Sequence, residues 1–418
     1  MRSLLVVLVT FSLLCGCSTG IGVVTPDDKV PLENSRNPQY VSAERAFPDF
    51  ALKLGIDARS VSWKPSPRPA LPSPLELERM HPVVWSSPDP MLPHTPYAFT
   101  KANSATSAIG KIYYSSGDEL PYLIWDNGHS PTPSGDWVFF IQPPGANPPG
   151  PARWNSITDE VEFLDTTMVD PPCNALVPAD NGNAYIYTAI NVSPPDTLQG
   201  WIHIVQDGEK IWSSYGSYLF PTLSSDGSTA AWCKDSNPNT FGDRDAYVFD
   251  IQTSTPTKIF NVGSSEEAQY TALGRDGRIA GFTVAINGPD GLHDQDVYRW
   301  QDGNSFQIDT GEYRWCERVA IGDLGKYQTF CANKDPYLYA GYAVHCVREG
   351  IWSSYEVTGY NQSIQDVWPD VSDDGYIIYG NGVGYWSHYI PSIAHADNGY
   401  LGAIIDPGGV CRDYSFKN

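Results

Sequence analysis

FPTLSSDGSTAAW, residues Phe220 to Trp232, decides how the chain is read, because its pattern recurs at a nearly constant interval. A small or apolar run leads into a short Asp/Asn/Gly turn, and an alternating apolar strand carrying an aromatic residue leaves it. The turn glycines that align are Gly135, Gly182, Gly227, Gly277, Gly325 and Gly375, spaced 47, 45, 50, 48 and 50 residues apart. The fifth residue after the glycine is Phe140, Tyr187, Trp232, Phe282 and Phe330 in the first five copies; in the last copy Tyr379 comes one position early.

A tight turn between alternating runs makes a β-hairpin, and one hairpin cannot bury its apolar face alone. A period of this length, with room for about four short strands, has the size of a propeller blade, whose sheet packs face to face on the next around a central channel. The chain is expected to be an all-β propeller of seven blades, with six and eight as alternatives. Units at half spacing stand at both ends: Gly110 lies 25 residues before Gly135, and Gly399 of Asp397-Asn398-Gly399 lies 24 after Gly375. Either the strands near Lys111–Tyr114 and Tyr122–Trp125 form a truncated blade, or one of them completes the last blade and closes the ring.

Ser224-Ser225-Asp226-Gly227 and Ser372-Asp373-Asp374-Gly375 carry a resemblance to the TolB-like, WD-repeat-like propellers, whose blades also run a strand into an S-x-D-G turn. Ser134-Gly135 and Leu324-Gly325 lack the Asp before the glycine. The resemblance covers about residues 123–390 and implies a fold; one fold hosts many functions.

Other strands keep the same period. Ile211-Trp212-Ser213-Ser214-Tyr215 recurs letter for letter as Ile351-Trp352-Ser353-Ser354-Tyr355, 140 residues on, which reads as an outer strand shared by blades three apart. The formal charge of −22 repels nucleic acid and anionic lipid headgroups, so neither is expected as a partner.

The beginning of the chain reads differently. Residues 1–16 hold one basic residue, Arg2, and the apolar run Leu4 to Leu14, too short to span a bilayer and suited to a signal-peptide core. Leu14-Cys15-Gly16-Cys17 resembles a bacterial lipobox, which implies cleavage before Cys17, acylation of Cys17 and attachment to the membrane by lipid alone. Ser18, where an Asp would favour retention at the inner membrane, points to the outer membrane. Residues 17–96 read as a tether, since ten prolines fall between Pro65 and Pro96 and such a segment extends at about 3.1 Å per residue. A short helix is expected over 48–54, and Trp63, Trp85 and Phe99 are expected to bring part of the region against the propeller domain, residues 97–418.

Six further cysteines follow Cys17: Cys173, Cys233, Cys316, Cys331, Cys346 and Cys411. An even number in an exported chain points to disulfides. In a hairpin centred near Asp323-Leu324, Cys316 and Cys331 face each other and form the favoured pair, with Cys331–Cys346 as its rival. No C-x-x-C pair suggests zinc, and no cofactor is expected.

Ligands of a propeller meet the loops at one end of its channel. Here these are 234–244, 266–270, 285–295, 312–318, 333–340 and 360–368, rich in carboxylates, amides and aromatics. Asp235, Asp243, Asp294, Glu312, Trp315, Asp335, Asp366 and Trp368 are the candidate ligand-facing residues. No metalloprotease helix motif or phosphate-binding glycine loop occurs. Asp243-Arg244-Asp245 and Asp294-Gln295-Asp296 resemble metal ligands, but each stands where a third strand is expected to start. His388 and His395 could approach one another across Pro391. Two functions follow as expectations: a lipid-anchored envelope propeller that binds a protein or glycan without transforming it, or a glycosidase or lyase whose carboxylates meet only in three dimensions.

Overall fold

A computed structural model describes residues 39–42, 97–102, 109–114, 119–123, 131–142, 149–166, 173–190, 199–235, 243–263, 266–287, 293–309, 315–333, 342–358, 364–383, 389–397, 399–403 and 410–416. Among them the regular structure is all strand; there is no helix, and so none long and apolar enough to cross a membrane. The expected helix at 48–54 lies outside the described residues.

In chain order, β1 (Gln39–Ser42) stands ahead of β2 (Tyr97–Ala102), β3 (Ile109–Tyr114) and β4 (Glu119–Leu123). Next come β5 (Thr132–Ser134), β6 (Trp137–Gln142), β7 (Gly150–Asn155) and β8 (Glu160–Phe163), then β9 (Cys173–Pro178), β10 (Ala184–Ile190) and β11 (Gly200–Gln206). The long β12 (Glu209–Leu223) serves two sheets: residues 209–216 pair with β11, and residues 217–223 pair mainly with β13 (Thr229–Asp235). β14 (Arg244–Asp250) and β15 (Thr255–Phe260) complete that second sheet. β16 (Glu266–Leu273), β17 (Ile279–Asn287), β18 (His293–Gln301) and β19 (Asn304–Gln307) form the next. They are followed by β20 (Trp315–Ile321), β21 (Tyr327–Asn333), β22 (Ala343–Arg348) and β23 (Ile351–Glu356), then β24 (Ile364–Val371), β25 (Tyr376–Val383), β26 (Tyr389–His395) and β27 (Gly399–Ala403). The last strand, β28 (Val410–Phe416), returns to pair with β2.

Each sheet is therefore an antiparallel meander whose first strand is innermost, and the inner strands form a closed ring. β5 contacts β9, which contacts β12, and so on through β16, β20, β24 and β28, which contacts β5 again. Closure is made by the C-terminal strand joining β2, β3 and β4, so these N-terminal strands form a sheet that β28 completes. The half-spaced unit at Gly399 belongs to the pairing of β26 with β27, the last two strands of the β24 sheet. β1, within the region read as a tether, adds a fifth strand to the outer edge of β8.

The aromatic residue that keeps phase with the turn glycine is the packing unit of this ring. Phe140, Tyr187, Trp232, Phe282, Phe330 and Tyr379 are all buried, each in a cluster shared with the sheet before it. Trp232, for instance, packs with Ile186, Ile202 and Ile204 of the β9 sheet. The six turn glycines have φ of 58, 67, 73, 68, 68 and 87°, the left-handed region that L side chains avoid. Tyr379 arrives early because its turn is one residue shorter. Ser224 N–H bonds to the Thr229 carbonyl, five residues on, whereas Ser372 N–H bonds to the Tyr376 carbonyl, four on. Counted along the strand rather than from the glycine, Tyr379 is in phase. Both WSSY copies lie on outermost strands, in β12 and β23.

The five cysteines with described side chains are buried and none is in a disulfide, and Cys411 has no described side chain. The expected Cys316–Cys331 pair fails on register. The hairpin is centred on Leu324-Gly325, with Ile321 opposite Gln328, one position later than expected, and a bulge between Glu317 and Ala320 then leaves Cys331 opposite Glu317 and Cys316 opposite Ala332. Adjacent positions on a strand point to opposite faces, which puts the two thiols on different sides of the sheet. Cys331 shares a face with Cys346 but is paired with Val344. Burial pushes the Cys233 and Cys346 thiols up to about 12.

Candidate functional site

The two ends of the ring differ in chemistry. At one end are the turns that join first and second strands, and these are laced to one another. Asp180 N–H donates to the Ser225 carbonyl (2.8 Å), Asp226 N–H to the Arg275 carbonyl (3.1 Å), Arg275 N–H to the Asp323 carbonyl (2.7 Å) and Leu324 N–H to Asp373 Oδ1 (2.6 Å). Ser225 Oγ donates to Asp323 Oδ1, and Arg275 Nη2 lies 3.2 Å from Asp323 Oδ2.

Within each turn the S-x-D-G residues serve the backbone. Ser224 Oγ donates to Asp226 Oδ1 (2.8 Å) and accepts from Thr229 N–H (3.0 Å), while Ser228 N–H donates to the same carboxylate (2.8 Å). Burial works against its charge, but the Ser228 and Ser224 hydrogen bonds and the nearby Arg275 leave Asp226 below the usual carboxylate range. The motif is turn chemistry, and its charges are spent on the turn.

At the other end, first strands start, second strands end and third strands start; the connecting loops there lie mostly outside the described residues. The candidates divide accordingly. Asp235 ends β13, is buried, and lies 3.8 Å from Arg244 Nη2; Arg244 Nη1 lies 3.2 Å from Glu267, joining the β12 and β16 sheets. Asp243 precedes β14, and Asp294 stands near the start of β18. Beside it Asp296 is raised to about 7 by burial and by the charges of Asp309, Asp294 and Glu266. Trp315, Asp366 and Trp368 stand on β20 and β24 at this same end, with side chains outside the description, as are Glu312 and Asp335 altogether. His395 bonds to the Asp374 carbonyl (3.0 Å); His388 is outside the described residues. Among the described residues no group of His, Cys, Asp and Glu is arranged to hold a metal.

A second repeated signature appears at this end. The inner strands β12, β16, β20 and β24 each break register once, between Leu219 and Thr222, Gln269 and Ala272, Glu317 and Ala320, and Val367 and Asp370. In the first three the bulges put Phe220, Tyr270 and Arg318 at φ 51, 48 and 56°. The other non-glycine residues in that region are Asp and Ser in or beside tight turns; three bulky residues there inside strands are a costly choice. A bulge re-aims the side chain it carries. The three are half-buried and meet one another: the Phe220 and Tyr270 rings are 4.6 Å apart, and the Arg318 guanidinium sits 5.0 Å above the Tyr270 ring. Thr271 Oγ1 donates to the Phe220 carbonyl (2.5 Å), tying the bulges together.

Sequence reading included Tyr270 and Arg318 in the loops 266–270 and 312–318 without singling them out, and missed Phe220. Their signal was present: each lies seven residues before its turn glycine, and Trp368 holds the same place before Gly375.

No model of a known protein family matches the chain, and a search of curated proteins finds no relative. Solved structures do match. The β-propeller domain of the Trilobed protease from Pyrococcus furiosus is 13% identical, covers 75% of this chain and 93% of that one, and superposes at a TM-score of 0.52. A puromycin-hydrolyzing peptidase of Mycobacterium tuberculosis is 13% identical at a TM-score of 0.53, covering 83% of this chain but only 57% of that one. A structure assigned to TolB from Agrobacterium tumefaciens, also 13% identical, covers 58% of this chain and 83% of that one at a TM-score of 0.40. At such identities the likeness is one of fold: the chain has a β-propeller architecture.

Proposed function

We propose that this chain is a seven-bladed propeller, lipid-anchored through Cys17 at the bacterial outer membrane, that binds a protein or glycan of the cell envelope at the loop end of its axis without transforming it. The blade count is supported by the ring of inner strands β5, β9, β12, β16, β20, β24 and β28. The anchor is supported by the lipobox-like Leu14–Cys17, and since β1 pairs with β8 the reach from the membrane comes from the residues between Cys17 and Gln39.

The observation that carries the binding reading is the collar of bulged residues. Phe220, Tyr270 and Arg318 hold unfavourable backbone geometry and remain half-exposed on the inner strands, while the turns at the opposite end are laced together. Phe220 and Tyr270 pack on one side against the cores of their sheets, and backbone strain held at such partly exposed residues is the kind that clusters at ligand sites.

The test is to screen the full-length protein against a glycan panel and an envelope-protein extract for both capture and turnover. Phe220→Gly, which keeps φ 51° without strain, removes the ring and is expected to weaken capture at least tenfold. Turnover of a glycan, or capture unaffected by Phe220→Gly, overturns the reading.

A further inference from the structure

Two guanidinium groups act on Tyr270, and they are treated differently. Arg244 is buried and held between Asp235 and Glu267. Arg318 is half-buried over the Tyr270 ring, and among the described residues no hydrogen bond or ion pair engages its fork, although its charge acts on the buried carboxyl of Glu317, its neighbour in the chain. The remaining arginines with described side chains give their N–H groups to carboxylates, to Gln301 or to a backbone carbonyl.

A guanidinium presents a planar fork of donors that matches a carboxylate, and stacking on an aromatic face leaves the edge of that fork available. The surroundings restrict what can carry the carboxylate. Asp235 and Glu267 are taken by Arg244, whereas Glu317 acts on Tyr270 beside the collar, where its oxygens oppose a second anionic group and favour hydroxyl donors. A sugar acid offers one carboxylate, several hydroxyls and a C–H face for Phe220, whereas a peptide C-terminus offers the carboxylate with few donors.

We infer that the collar binds an acidic sugar, with its carboxylate on the Arg318 guanidinium and its ring against Phe220. This rests on the loop-end reading above and adds the ligand class to it.

The experiment is calorimetric titration of the full-length protein with D-glucuronate, D-glucose and N-acetyl-alanyl-alanine. Glucuronate is expected to bind at least tenfold more tightly than glucose, which differs by having CH2OH in place of the carboxylate. Arg318→Gln is expected to erase that preference, and Arg318→Gly, whose backbone adopts φ 56° freely, to do the same should the Gln variant not fold. Glucuronate that fails to bind, binds no better than glucose, or keeps its preference in the Arg318 variants overturns the inference; so does tighter binding of the dipeptide. If Phe220→Gly abolishes sugar binding while Arg318→Gly leaves the preference intact, the loop-end reading survives and this one falls. If neither substitution alters binding, both fall.

Discussion

Gly277→Ala tests how one sheet is locked to the next. Gly277 sits at φ +68°, and a Cβ there would come 2.2 Å from Thr229 Cβ and 2.4 Å from both Thr229 Cγ2 and Oγ1. Thr229 is the buried first residue of β13, so the turn of the β16 sheet presses into its neighbour. An L residue in the left-handed region costs about 1–2 kcal/mol. Forcing a methyl group into packed side chains adds about 1–3 kcal/mol. Gly303 supplies the control: its φ is +83°, and nothing lies within 4 Å of its Cβ position, so Gly303→Ala carries only the first cost. Urea unfolding at unchanged slope should show Gly277→Ala losing about 1–3 kcal/mol more than Gly303→Ala. Losses equal to within about 0.5 kcal/mol, the scatter ordinarily found between independent sites, would mean that the inner turns do not brace the ring.

Asp323→Ala should cost about 1–3 kcal/mol, because buried Ser225 loses the acceptor of its hydroxyl. Arg275 is more than half exposed, so its ion pair adds little, and a loss that vanishes in high salt would show that the surface pair mattered instead. Asp296 has its folded pKa raised to about 7, above the unfolded value near 4, so the folded state prefers the proton and stability falls as pH climbs between those values. Asp296→Asn should therefore melt higher than the parent at pH 8 and not at pH 4; a gap that is flat or opposite in sign contradicts the assignment. Cys17→Ser should end incorporation of labelled fatty acid, and continued labelling would place the anchor elsewhere.

What could be read from the sequence was local. The Ser224–Gly227 turn is made by residues within five positions of one another, so its hydrogen bonds leave a compositional trace that repeats with the sheets. The buried aromatic at a fixed distance from Gly227 follows from strand alternation, and even the early Tyr379 obeys it once the shorter turn is counted. Ring closure was only half legible, since pairing between β2 and β28 joins segments some 300 residues apart that carry no common motif. That Arg318 lies over the Tyr270 ring could not be read at all, because it depends on a contact between two sheets.

The bulge bears on both the clearest error and the clearest omission. A bulge inserts a residue into a strand without needing glycine, proline or asparagine, so it is silent in a reading that looks for turns. In β20 that silent residue moves Cys331 from opposite Arg318 to opposite Glu317, and so onto the other face from Cys316, in a hairpin whose centre at Leu324-Gly325 already keeps the two cysteines from standing opposite each other. The same insertion turns Arg318 out of the alternation that would have committed it to one face, and leaves it stacked on Tyr270. Because β12 and β16 carry the insertion at the same distance from their turns, the collar is a property of the repeat, and the identities Phe220, Tyr270, Arg318 and Trp368 are where the repeats diverge. Divergence at a position that every one of these inner strands distorts itself to present is what a binding site built on a repeated scaffold requires, which is why a substitution there should change the choice of ligand before it changes the fold.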